Sequence, residues 1–120
     1  MRKRLSELEQ LVMEEVWRHP GSTVAQCQEA LAGAGRPLKE NTIRTLLTRL
    51  EVKSYVRHKL EGRAFLYHPS EPRKNIAAQA VKQVIDKFCN GSLEELLTGM
   101  VENDVVSPAE RARSLEAELS

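Results

Sequence analysis

Ile43, Leu46, Leu47 and Leu50 stand at i, i+3, i+4 and i+7. If residues from about Lys39 to Val52 form an α-helix, that spacing gathers all four into one narrow stripe. A step of about 100° per residue collects Asn41, Arg44, Thr45 and Thr48 on the opposite side, with Arg49 on the shoulder. Nearly all of these outward side chains can donate hydrogen bonds, and none is acidic. A helix divided in this way needs a core behind it and leaves a donor surface in front. The rest of a 120-residue chain must supply that core.

The residues before this helix predict two more. Ser6 and Glu9 have capping-box spacing, and Leu8, Leu11, Val12 and Val16 follow as an apolar face with Trp17 at its edge. His19, Pro20 and Gly21 end this helix. Ser22 or Thr23 caps the next, Thr23 and Gln26 again having capping-box spacing, with Val24, Cys27 and Leu31 as its apolar line. After the third helix, the runs Tyr55 to Leu60 and Ala64 to His68 surround Glu61-Gly62-Arg63 and read as a β-hairpin. Its basic residues Arg57, Lys59 and Arg63 lie toward the tip. A hairpin this short needs the helices to lie against. Three helices and a hairpin are the order of a winged helix-turn-helix, in a chain that is mainly α with a small β-hairpin wing.

Pro69 and Pro72 mark a junction, which sets the expected regions as residues 1–70 and 71–120. Beyond it, Ile76, Ala77, Ala80, Val81, Val84 and Phe88 form a broad apolar stripe on a helix that ends near Asn90 and Gly91. Ser92 and Glu95 open a shorter helix with Leu93, Leu96, Leu97 and Met100 as its apolar set, and Ser107, Pro108 and Glu110 open a last one. About 50 amphipathic residues cannot enclose a core alone. They must pack on the front domain or on a second copy of the chain, and the second explains the length better. These ten apolar positions are therefore the expected homodimer interface.

Charge supports a division of labour. The whole chain is at +1, but residues 1–70 carry net +4 and residues 71–120 net −3. The excess is concentrated from Lys39 to Arg63, where seven basic residues face three acidic ones. That places a cationic helix and wing where a duplex would be read: helix side chains on base edges in the major groove, wing cations on phosphates. Asn41, Thr42, Arg44, Thr45, Thr48, Arg49, Arg57, Lys59 and Arg63 are the expected DNA-binding set. The rival reading, a winged-helix module that binds proteins, calls for an exposed apolar patch rather than a donor face.

Other function classes lack their residues. No apolar run exceeds four residues, from Ala64 to Tyr67, so no membrane span is expected. The basic start Met1-Arg2-Lys3-Arg4 is followed by Leu5-Ser6-Glu7-Leu8-Glu9 rather than by an apolar leader, which points to the cytoplasm. Cys27 and Cys89 lie far apart and read as reduced thiols; with His58 and His68 they have no metal-ligand spacing. There is no Gly-rich phosphate loop, H-E-x-x-H or G-x-S-x-G, so neither an enzyme nor a cofactor is expected.

Three stretches resemble one known family: Leu8-Glu9-Gln10-Leu11-Val12-Met13-Glu14-Glu15-Val16-Trp17, Asn41-Thr42-Ile43-Arg44-Thr45-Leu46-Leu47-Thr48-Arg49-Leu50, and Glu61-Gly62-Arg63-Ala64-Phe65-Leu66-Tyr67. The likeness continues through Gly91-Ser92 and the following helix. The chain is similar to the penicillinase-repressor family of bacterial transcription regulators, the BlaI/MecI type. The resemblance implies a homodimer with N-terminal winged-helix domains and a C-terminal helical dimerisation region, repressing transcription from a dyad-symmetric operator. It also implies that Asn41, Thr42, Arg44, Thr45 and Arg49 lie at or near the DNA. The chain departs from the family pattern in having Ser54 where Gly is common, and Gly99-Met100 where β-lactam-controlled members share an Asn-Phe bond. It also lacks the C-terminal Cys-x-Cys of copper-responsive relatives.

Overall fold

The computed structural model describes residues 2–119; Met1 and Ser120, the outer ends of the two expected regions, lie outside the described residues. The elements run α1 (Glu7–Arg18), α2 (Val24–Gly33), α3 (Glu40–Val52), β1 (Val56–Glu61), β2 (Ala64–Pro69), α4 (Arg73–Phe88), α5 (Leu93–Glu102) and α6 (Pro108–Leu119). Two compact units result, one ending at Arg73 and the other beginning at Lys74.

In the first unit the stripe of α3 is the centre of the core. Ile43, Leu46, Leu47 and Leu50 are buried together with Val12, Met13, Val16, Val24, Cys27, Leu31, Tyr55, Val56 and Tyr67. α1 packs on α2 and α3, and α3 also meets β1. Each buried aliphatic side chain contributes roughly 1.5–3 kcal/mol, enough in sum to fix the rotation of α3 about its axis. Both front capping boxes form: Glu9 N donates to Ser6 Oγ at 3.2 Å, and Gln26 N to Thr23 Oγ1 at 3.1 Å.

α1 is turned from the face its leucines suggest. Leu8 and Leu11 are only half-buried, whereas Met13, Glu9 and Glu15 are buried. Each glutamate is partnered, though in Glu9 only through Oε1, its Oε2 being buried without a hydrogen-bond partner among the described residues. Glu9 Oε1 accepts from Ser6 N at 2.7 Å and from Lys53 Nζ at 2.8 Å. Glu15 pairs with His19 Nδ1 at 2.7 Å and Arg18 Nη1 at 3.2 Å. Burial pushes the Glu9 carboxyl upward, but the bonds from Lys53 and from the Ser6 amide and hydroxyl outweigh it and hold it below its ordinary 4.5. Lys53 also donates to Arg4 O at 2.9 Å, and Tyr55 Oη to Lys3 O at 2.7 Å, so the chain start is tied along the junction of α3 and β1.

The hairpin is antiparallel, with Glu61 opposite Ala64 and Val56 opposite Pro69. The two-residue link Gly62-Arg63 has positive φ at Gly62 alone (62°), where a hairpin turn with glycine first demands it. The turn between α1 and α2 adds a short third edge: Gly21 N donates to Tyr67 O at 2.8 Å and Tyr67 N to Ser22 O at 2.9 Å. Gly21 has φ +88°, and a Cβ there would stand 3.3 Å from His68. At the exit of α3, Ser54 is left-handed, with φ 68°.

In the second unit α4 buries none of its side chains. α5 packs on α6, where Arg111 Nη2 reaches Thr98 Oγ1 at 3.1 Å and Glu94 Oε1 at 3.3 Å. Ser107 and Glu110 form a reciprocal cap at 3.2 Å in both directions; at Ser92 only the bond from Glu95 N to Ser92 Oγ, 3.1 Å, is made among the described residues.

Two stability measurements follow from these contacts. Ser54→Gly relieves the left-handed strain and should stabilise the fold by about 0.5–1 kcal/mol net of the added chain entropy, read from urea unfolding. Because the folded Glu9 carboxyl lies below its unfolded value, its contribution is fully present above pH 4.5 and is lost as pH falls through the folded value. Glu9→Gln should therefore flatten the acid limb of stability measured from pH about 7 to 3.

Candidate nucleic-acid interface

Anchoring α3 by its leucine stripe turns Asn41, Arg44, Thr45, Thr48 and Arg49 to solvent; Thr42, near the helix start, is half-buried. The loop into the helix is held by Gln28 Nε2, which donates to Leu38 O at 3.1 Å. Lys39 is the N-cap and makes no side-chain capping bond.

The two threonines differ from the expectation of a donor face. Thr45 Oγ1 donates to Asn41 O and Thr48 Oγ1 to Arg44 O, each at 2.9 Å. Their hydroxyl protons are used by the helix backbone, so outward they offer oxygen lone pairs and methyl groups. The outward donors of this face are Asn41, Arg44 and Arg49. Val52 extends the face at its far end and is 80% exposed.

The cations differ in their company. Arg44 Nη2 lies 2.8 Å from Glu40 Oε1, one helical turn earlier. Arg49, Arg57, Lys59 and Arg63 are exposed and make no salt bridge among the described residues.

Register divides the wing into two faces. Val56, His58, Leu60, Phe65, Tyr67 and Pro69 share one, which carries the buried Val56 and Tyr67. Arg57 and Lys59 project from the other, alongside Leu66 and His68, and Arg63 sits in the turn. The three wing cations are thus brought to the same hairpin but not to the same face. Toward the tip the inner face overhangs the helices, leaving Leu60 65% and Phe65 47% exposed.

His58 ties this inner face to the helix. Its Nδ1 pairs with Glu51 Oε1 of α3, and its ring meets Phe65 edge-on at 4.8 Å between centroids. Burial and the Glu51 carboxylate raise the Tyr67 phenol above its ordinary range, against a lowering pull from Arg44, so Arg44 and Glu51 both act electrostatically on the wing root. Charge counting misses this contact because Glu51 and His58 are seven residues apart across a change of element. Counting outward from a two-residue Gly62-Arg63 turn pairs His58 with Tyr67 and Leu60 with Phe65, a signal available in the sequence.

Elsewhere in the first unit, the Cys27 thiol is pushed up to about 11 by burial and then by the Glu15 charge, so it is a neutral core group. Among the described residues no cluster of three or more His, Cys, Asp or Glu side chains could hold a metal ion, and no helix is long and apolar enough to cross a membrane. In the second unit Ala77, Ala80, Val81, Val84 and Phe88 are exposed, Ile76, Leu93, Leu96 and Met100 half-buried, and Leu97 is buried within its own unit.

The penicillinase repressor family pattern matches residues 5–120. The chain belongs to the penicillinase repressor family. The transcriptional regulator BlaI of Mycobacterium tuberculosis is 36% identical over 121 residues, covering 97% of this chain and 85% of that protein. The penicillinase repressor of Bacillus licheniformis is 28% identical over 107 residues, covering 89% and 83%. The solution structure of the Bacillus licheniformis BlaI monomeric form in complex with the blaP half-operator superposes with a TM-score of 0.52 at 28% identity, over 62% of this chain and 90% of that one. Membership of a family of transcriptional repressors makes this protein a regulator rather than an enzyme.

Glu51→Ala should loosen the wing. Backbone amide order parameters over residues 56–69 are expected to fall while those of α1 and α2 stay unchanged; an unaltered hairpin would show that Glu51 and His58 do not orient it.

Proposed function

We propose that this member of the penicillinase repressor family is a DNA-binding transcriptional repressor that acts as a homodimer on a dyad-symmetric operator. α3 enters the major groove and the wing lies on the sugar-phosphate backbone. The observation that carries this reading is the outward face of α3: a helix anchored by four buried aliphatic residues presents Asn41, Arg44 and Arg49, while Arg49, Arg57, Lys59 and Arg63 have no carboxylate partner among the described residues. Cations free of carboxylates are available to displace counterions from phosphates. The likeness to a BlaI bound to a half-operator supports the same partner here.

Within the face the roles divide by chemistry. Arg44 reads a guanine through O6 and N7, Asn41 an adenine edge, and the methyls of Thr45 and Thr48 pack on thymine methyls. Thr42, at the amino end of α3, meets a phosphate with the helix amides. Arg49 and the wing cations neutralise backbone charge. These roles lie in residues 1–70. Residues 71–120 hold the two copies together: α4 buries nothing in its own unit, and its Val81, Val84 and Phe88 are 46%, 42% and 71% exposed. A second copy covering that line joins two weak half-site contacts at high effective concentration.

A protein-binding wing is the second reading, favoured by exposed Leu60 and Phe65. Arg44→Ala separates the two. Operator binding predicts that selectivity over random duplex falls by about 1–3 kcal/mol or more while the dimer stays intact; unchanged selectivity would contradict the assigned reading face. Phe88→Glu should shift sedimentation toward monomer and weaken operator affinity steeply, and an unchanged profile would remove α4 from the interface.

A further inference from the structure

We propose that Glu40 is a positioning residue for DNA recognition: it holds the Arg44 guanidinium away from phosphates and aimed at a base edge, converting a general anion contact into a sequence-reading one. The inference rests on the assignment of Arg44 to the groove and adds the residue that makes its contact selective.

The site cations differ in their partners. Arg49, Arg57, Lys59 and Arg63 make no salt bridge among the described residues, whereas Arg44 alone of the five is paired, through Nη2 to Glu40 Oε1 at 2.8 Å. A cation whose task is to neutralise a phosphate gains nothing from a neighbouring carboxylate, which competes for it and repels the backbone. A guanidinium that must meet O6 and N7 of one guanine gains orientation, because its planar fork has five donors and the carboxylate occupies only one side of it.

The charge of Glu40 in the first turn suits the dipole of α3, but that role does not require a bond to Arg44. A carboxylate there could serve the uncapped amides left by Lys39, yet its oxygen is directed along the helix to Arg44. Both side chains are more than half exposed, so the pair adds little stability. Placing a negative charge at the amino end of a helix that approaches DNA weakens binding to every sequence. The compensating gain is discrimination: an arginine tethered by its turn neighbour cannot swing to the nearest phosphate on the wrong sequence.

The test compares the full-length protein with Glu40→Gln, Glu40→Asp and Arg44→Ala, measuring affinity for an operator selected from random duplexes and for random duplex itself, each across a salt series. Removing the charge in Glu40→Gln should tighten random-duplex binding severalfold. Selectivity should nevertheless fall about tenfold, within the range one bidentate base contact supplies. Glu40→Asp keeps the charge and the helix-start electrostatics but shortens the reach to Arg44, so it should lose selectivity without tightening random binding. In the Arg44→Ala background, Glu40→Gln should change selectivity no further. If Glu40→Gln tightens both duplexes equally and Glu40→Asp behaves as wild type, Glu40 is only a charge and the inference is overturned with the role of Arg44 intact. If Arg44→Ala itself retains selectivity, the reading face and the inference fall together. Thermal melting of each variant checks that the unit is folded, and a Glu40→Gln protein that melts as wild type and keeps wild-type selectivity also overturns the inference.

Discussion

Burial of one stripe, Ile43, Leu46, Leu47 and Leu50, against α1 and α2 governs the first unit. Four fully or nearly fully buried aliphatic side chains on one helix fix its rotation to within a small angle, since a turn of one residue would carry a leucine into water and a threonine or arginine into the core. Everything proposed for α3 depends on that. The outward set is outward because the inward set has no alternative, and the wing can be placed beside it because Tyr55 and Val56, immediately after the helix, are buried in the same core.

Upon that anchor the unit arranges charge by partnership. Carboxylates facing the protein's interior are matched: Glu9 by Lys53 and the Ser6 amide, Glu15 by His19 and Arg18. At the junction after the wing, Arg2 pairs with Glu71 at 2.6 Å, Trp17 Nε1 donates to Glu71 O at 3.3 Å, and the Arg73 guanidinium lies 5.0 Å over the Trp17 ring. These contacts hold both ends of the unit on α1. Among the described residues of this unit, Lys3, Arg4, Lys39, Arg49, Arg57, Lys59 and Arg63 make no salt bridge, and four of these seven lie on α3 and the hairpin. A helix and hairpin that keep four exposed cations free of carboxylates are suited to an external polyanion.

Much of this was legible in the sequence because it follows from local rules. The α3 stripe, the Ser6/Glu9 and Thr23/Gln26 boxes and the hairpin each depend on spacings of a few residues, and each is found, although Glu61, expected in the link, pairs with Ala64 at the end of β1. The positive φ at Ser54 is also found where the chain departs from a more usual glycine. What was not legible depends on contacts between distant residues. Met13 displaces Leu8 and Leu11 from the deepest positions because Glu9 and Glu15 are neutralised by partners that periodicity does not see, one of them Lys53 on another element. Counting cations draws attention to Arg57 and Lys59, whereas the contact between hairpin and α3 that lies outside the buried core is made by Glu51 and His58 on the other face. Residue type alone marks Thr45 and Thr48 as outward donors, but the helix backbone takes both hydroxyl protons.

The proposed function requires that this surface bind duplex DNA selectively through α3 while its free cations neutralise phosphates. The most direct measurement is binding of the purified protein to DNA from its own promoter region, titrated against salt with random duplex as competitor. The account predicts a selective complex whose log affinity falls with log salt at a slope of about −4 to −7, corresponding to roughly four to eight neutralised phosphates for a dimer. A slope near zero, or equal affinity for promoter and random DNA at every salt concentration, would contradict it.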